Sequence, residues 1–296
     1  MTTTVAQAPA PAAPPARARR RARFARFSGP LGVRIGLAIV AAYLLVAVLS
    51  WFWTPYDPLA LAVGDPYGAP SAAHWLGTDR LGADVLSRLM AATRVNLVVM
   101  LFAVATGLAV GTALGTLAGY FGGVTDTVIM RILEVFQAFP TLLLAMLVVQ
   151  AVGPGTVNLI LIMAFVGMPP YLRLVRAEVM SRRSWQFAEA ARMVGARPMR
   201  VAFGHLLPNS IGPVLAYIAV NAAWVSLLTA ALGFLGLGLP PGTPEWGSMV
   251  ARGQDAIMTG QWWVSFFPGL AIVGIAGACY LLGDGLADFL DPRRSS

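Results

Sequence analysis

A charged stretch interrupts the apolar body of the chain at EAARMVGARPMR, Glu189–Arg200, which holds one carboxylate and three guanidiniums. A carboxylate can exchange a proton or accept hydrogen bonds. An arginine stays charged, only donates, and suits clamping an anion or docking against another surface. Elsewhere, Arg131 and Glu134 are three apart and can pair across one helical turn. His74 and His205 are far apart and lack partners at metal-ligand spacing. Cys279 is the single cysteine, so no disulfide or cysteine metal site forms within one chain; it reads as a small apolar packing residue. No lysine occurs. That excludes a Walker A nucleotide site and a lysine Schiff base.

The elements that carry these residues follow from composition. Soluble chains are about 25% charged; this one is 11% charged and 57% hydrophobic. Its apolar runs approach the roughly 20 residues that a helical span needs. The fold class expected is an all-α polytopic membrane protein with membrane lipid around it. The net charge of +8 could suit nucleic acid, but the arginines flank apolar runs, where they set topology, so no nucleic-acid partner is expected.

Residues 1–28 read as a disordered Ala/Pro/Arg tail. A first, uncleaved span at 29–53 ends in the aromatic WFW. Residues 54–93 form a polar segment in which Thr78 or Asp79 can cap an interfacial helix bearing Leu81, Val85, Leu86, Leu89 and Met90. Residues 94–290 form a five-span core, with spans near 95–120, 127–152, 157–174, 209–234 and 264–283; residues 291–296 are a tail. Pro140 should bend or interrupt the third span. Gly107, Gly111, Gly115 and Gly119 recur every four residues, a bare ridge for close helix packing. The arginine bias puts the N-terminal run, Arg131, Arg173–Arg200 and the tail in the cytoplasm, and an even count of six spans agrees. The loops 54–93 and about 236–263 are then extracytoplasmic.

The unit 184–208 is therefore cytoplasmic. Ser184 can cap a helix beginning at Trp185, with Phe187, Ala190, Ala191 and Val194 on one face. Gly195 suits a left-handed helix end, and Pro198 the first turn of a second helix that should stop near Pro208. Such a helix–turn–helix suits a groove on another protein; from the residues alone, a solvated loop that only enforces topology is an equal alternative.

The series Glu189, Ala190, Ala191, Gly195, then Leu207 and Pro208 resembles the EAA motif of ABC-importer permeases. His205, in HLLPN, looks like the peptide-transporter subgroup. HWLGTDRLGADVLSR (74–88), GYFGGVTD (119–126), AFPTLLLA (138–145), FLGLGLPPGTPEWGSMVARG (234–253) and GDGLADFLDP (283–292) resemble the second permease subunit of dipeptide, oligopeptide and nickel importers. Ala83 stands where that pattern usually has arginine.

The resemblance implies a type I ABC-importer permease fold and a bacterial cell-membrane location. It implies a second homologous permease subunit, two ABC ATPase subunits (or one fused ATPase) and an extracytoplasmic substrate-binding protein. ATP and Mg would belong to the partner subunits, and this chain would hold no cofactor. Glu189, Ala190, Ala191, Gly195, Leu207 and Pro208 would couple it to the ATPases, and the cargo would be di- or oligopeptides taken up by alternating access. Nickel or another small solute in the same architecture is the nearest rival. An ion-coupled secondary transporter would show inverted repeats and midplane charges, and a membrane enzyme would need a constellation that His74 and His205, on opposite sides, do not form.

Overall fold

The computed structural model describes residues 31–290, so the expectations for 1–28 and 291–296 lie outside the described residues. The helices are α1 (Leu31–Phe52), α2 (Val85–Phe121), α3 (Gly123–Gln137), α4 (Thr141–Val152), α5 (Thr156–Arg182), α6 (Gln186–Met193), α7 (Leu207–Ser210), α8 (Gly212–Phe234), α9 (Trp246–Ile257) and α10 (Trp263–Leu290). A π-helical turn, Arg200–Leu206, runs into α7. Among the described residues there is no strand, only an isolated bridge between Thr78 and Asp84.

Five helices, α1, α2, α5, α8 and α10, are long and apolar enough to cross a bilayer. The third expected span is not one helix. It is the pair α3 and α4, bent by 89° at a short break. Pro140 explains the break: it has no N–H for the helical ladder, its ring clashes with the preceding turn, and it disfavours helical backbone at the residue before it. Two further spans run longer than expected, α5 to Arg182 and α10 to Leu290. The connection expected to be irregular at 236–263 contains α9.

α2 and α5 form the centre. A Cβ added at Gly111 would lie 2.9 Å from the Met168 carbonyl; at Gly115, 2.5 Å from that of Leu172; at Gly119, 2.7 Å from that of Arg176. At Gly107 such a Cβ would lie 3.0 Å from the Ala164 carbonyl. The bare ridge of α2 therefore lies directly on the backbone of α5, and any side chain there would force the helices apart. Pro169 and Pro170 take two N–H groups out of the middle of α5; beside them Asn221 of α8 donates its Nδ2 to the Gly167 carbonyl at 3.3 Å. α1 lies at the rim, with Leu44, Leu45 and Val48 exposed on it, as expected where hydrocarbon is the solvent.

No separate interfacial helix leads into α2. Neither Thr78 nor Asp79 caps a helix. Asp79 Oδ1 accepts from the N–H groups of Leu81 and Ala83 at 2.8 and 3.0 Å, closing a turn. The cap is Asp84, whose Oδ2 accepts from Ser87 N at 2.8 Å. Leu81 precedes the helix, and the expected division between 54–93 and 94–290 falls inside α2. Segment 53–84 is pinned to this end of the bundle: Tyr56 N donates to Ser87 Oγ at 3.0 Å, and Trp263 Nε1 to the Thr78 carbonyl at 3.3 Å.

Candidate functional site

At the other end of α2 the chain leaves α5 and forms the hairpin 184–210. The N-cap of α6 is Trp185, not Ser184, and no side chain caps it. The helix ends in a Schellman motif. Gly195 has φ +79°; its N–H donates to the Arg192 carbonyl at 3.0 Å, and Ala196 N to the Ala191 carbonyl at 3.1 Å. A Cβ at Gly195 would meet nothing within 4 Å. The glycine is required here by backbone angle, and the space beyond it is open.

The inward face of α6 differs from the one expected. Ala188 is fully buried, with Phe187 and Ala191 beside it, against Tyr171, Val175, Val179, Val201, Leu206 and Val214. Ala190 and Val194 point outward. Phe187, Ala188 and Ala191 share one helical face, rotated toward Ala188 and away from Ala190 and Val194. Beyond Gly195, Pro198 opens the second helix, as its fixed φ and missing N–H favour. Helix runs two residues past Pro208 and ends at Ser210, near the expected stop. The π turn allows this: Leu207 N donates five residues back, to the Ala202 carbonyl, so the ladder is already widened where Pro208 contributes no N–H.

The result is a knob with a fixed root. Val201, Ala202 and Leu206 are buried with Ala188. Met193 and Val194 at the tip are 85% and 84% exposed, and Met199 is exposed nearby. Arg192, Arg197, Arg200 and Glu189 surround them in the open. An apolar centre with a charged rim is the anatomy of a protein interface. Arg192 donates to the Arg183 carbonyl at 2.7 Å, while Glu189 has no ion-pair partner among the described residues. Leu207 is half-buried, and Pro208 is exposed.

Residues 111–296 match the family described as "Binding-protein-dependent transport system inner membrane component". The chain belongs to that family. It is a multi-pass membrane permease subunit of an ABC transport system. It is 42% identical over 88% of its length, and 89% of the relative's, to the dipeptide transport system permease protein DppC of Escherichia coli (strain K12). It is 40% identical to the nickel transport system permease protein NikC of the same strain, over 88% of this chain and 94% of that one. It is 38% identical to the glutathione transport system permease protein GsiD of Pectobacterium atrosepticum, over 90% of this chain and 88% of that one.

The permease does not bring its sequence-flagged residues into one site. Glu189, Ala190, Ala191, Gly195, Leu207 and Pro208 lie on the hairpin, while Gly107, Gly111, Gly115 and Gly119 lie along the α2–α5 seam. Arg131 and Glu134 pair at 3.0 Å on the surface of α3. A half-buried tie not visible in sequence joins α3 to α5, where Arg176 holds both oxygens of Asp126. His74 Nδ1 meets Asp84 Oδ1 at 2.9 Å and stacks on Tyr56. His205 is exposed, and its carbonyl accepts from Asn209 Nδ2. Glu245, the N-cap of α9, escaped sequence reading because glutamate is not a usual N-cap. Its two oxygens accept from Gly247 N and Ser248 N, both at 2.7 Å. Burial pushes its pKa up to about 7, against the pull of those donors and of Arg252.

Proposed function

We propose that this permease subunit imports di- or oligopeptides by alternating access, driven by ATP hydrolysed on other chains. The observation that carries the reading is the hairpin 184–210: an apolar tip, Met193 and Val194, projecting beyond a root buried against α5 and α8. Such a tip serves little purpose inside this chain and suits a cleft on an ATPase. When two ATPases close on ATP and Mg, the tip moves with its cleft. The buried root passes that displacement to α5 and α8, and the bundle rocks between two packings. Glu189, unpaired here, is free to accept hydrogen bonds from the ATPase; Gly195 lets the surfaces approach.

In this reading both termini and the hairpin are cytoplasmic, as the arginine distribution favours. Segments 53–84 and 235–262 face a substrate-binding protein, and a second homologous permease completes the path. Relatives named for dipeptides support the peptide cargo; the relative named for nickel supports a second reading, the same architecture carrying a different solute. The test is to purify the chain with its native neighbours. Two ATPase copies (or one fused ATPase), a second permease and a binding protein loaded with peptide are the expected result. A lone dimer that transports without ATP would overturn the coupling; a binding protein loaded with nickel would overturn the peptide cargo.

A further inference from the structure

At the end of the molecule opposite the hairpin, a cavity of about 700 Å³ opens between segment 57–61, the first turns of α2 and residues 241–244. Arg88, Arg94 and Arg252 all reach it. Arg88 and Arg252 also line one small void together with Asp79, and the two positive charges repel.

The nearby carboxylates offset this charge only in part. Asp79 is 3.9 Å from Arg88 Nε and gives its other oxygen to two backbone N–H groups. Both oxygens of Glu245 cap α9. Asp57, exposed, accepts from Leu59 N at 2.9 Å. Arg88, only 3% exposed, reaches two carbonyls at the long limit, Pro58 O at 3.4 Å and Gly242 O at 3.3 Å. Arg252 has no side-chain hydrogen bond or ion pair within 4 Å among the described residues. Arg94 lies over the Trp51 ring, 5.1 Å from its centroid. Two guanidiniums with spare donors that line one cavity and repel, one of them buried, are stabilised by an anion placed between them.

We propose that this cavity holds a carboxylate of the transported solute, the C-terminal carboxylate of a peptide, between Arg88 and Arg252 with Arg94 at the mouth. The proposal rests on the peptide reading above and sharpens it. The volume is within the range of small-molecule sites, about 300–1,000 Å³. Planar guanidinium forks match a carboxylate in two-point contact. A divalent cation would be repelled here, so the cavity favours peptide over nickel as cargo.

The test uses the complete transporter in vesicles, with its ATPases, second permease and binding protein. Uptake of radiolabelled Ala-Ala is compared with that of its C-terminal amide as a ratio of kcat/KM values. Because every variant shares one binding protein, that protein's own preference cancels. The acid-over-amide ratio should fall at least fivefold in Arg252→Gln and stay within twofold of wild type in Arg252→Lys. Arg94→Gln should lower the same ratio, which keeps the test decisive if Arg252→Gln does not assemble. Equal ratios in all variants, or equal losses for acid and amide, would overturn the carboxylate site while leaving peptide transport standing. Failure of the wild type to import either probe would remove the peptide reading itself. Repeating the comparison in phosphatidylcholine alone and with phosphatidylglycerol identifies the anion's source. The Arg252→Gln effect should persist in the neutral vesicles; its confinement to phosphatidylglycerol vesicles would assign the cavity to a lipid phosphate and overturn the proposal.

Discussion

The Asp84 carboxylate joins two elements at once: one oxygen meets the His74 ring at 2.9 Å, and the other caps α2 through Ser87 N at 2.8 Å. The same Oδ2 also accepts from Ser87 Oγ at 2.7 Å. Asp84 is 2% exposed, so these bonds form away from water, where an orphaned partner is costly. Asp84→Ala should destabilise the purified permease by about 3 kcal/mol, combining a lost cap with a buried charged hydrogen bond. His74→Ala should cost less, because the cap survives. Thermal melting in detergent checks both, and equal losses would contradict the dual role.

Gly195 offers a sharper contrast. Its φ of +79° strains any side chain, but the space around it is open. Asn tolerates that backbone region, so Gly195→Asn should assemble and transport within about threefold of wild type, a change of under 1 kcal/mol. Gly195→Trp should assemble yet lose transport at least tenfold while ATP hydrolysis continues. Normal uptake by an assembled Gly195→Trp transporter would sink the docking role.

The α2–α5 seam allows no added carbon. Gly115→Val would place a Cβ 2.5 Å from the Leu172 carbonyl, a backbone atom that cannot swing aside. Overpacking of this kind costs about 1–3 kcal/mol. Gly277→Ala on α10 meets nothing within 4 Å, so it should be neutral or gain up to about 1 kcal/mol from helix propensity. Melting of the isolated chain tests the pair, with Gly115→Val expected to melt lower.

Glu245 should make stability depend on pH. Its folded pKa, about 7, is raised above the ordinary value of 4.5. The folded state therefore holds a proton that the unfolded chain has released. The resulting stabilisation is fully present below about pH 4.5 and is lost as pH rises through about 7, for a total on the order of 3 kcal/mol. Glu245→Gln cannot ionise and should flatten the melting temperature across this window relative to wild type. An unchanged slope in the variant would refute it.

Backbone chemistry that is local to a few residues was legible in the sequence; choices among equivalent partners were not. Gly195 and Pro198 announce a left-handed helix end and a helix start because those geometries exclude most other residues. Pro140 announces a break for the same reason, although its angle depends on what α3 and α4 pack against. GTDRLGAD, by contrast, offers several capping side chains, and only the fold decides that Asp79 closes a turn while Asp84 caps α2. The four-residue glycine repeat shows a bare face without naming the helix that lies on it. Phe187 and Ala191 of the expected α6 face do turn inward, but the centre of that face is Ala188, because a helix of so few turns is oriented by its neighbours more than by its own periodicity. The arginine cavity draws on three distant stretches of chain, and no local pattern connects Arg88, Arg94 and Arg252.

The length of α2 has a mechanical consequence. At 1.5 Å per residue, its 37 residues make a rod about 55 Å long, well over the roughly 30 Å of a hydrocarbon core. One end is anchored by Asp84 and the loops around it; toward the other, the ridge is seated against α5. A tilt of about 5° about the midpoint would displace each end by about 2 Å in opposite senses. α2 can thus act as a lever, converting a small shift at one membrane surface into an opposite shift at the other without any contact in between having to relay it.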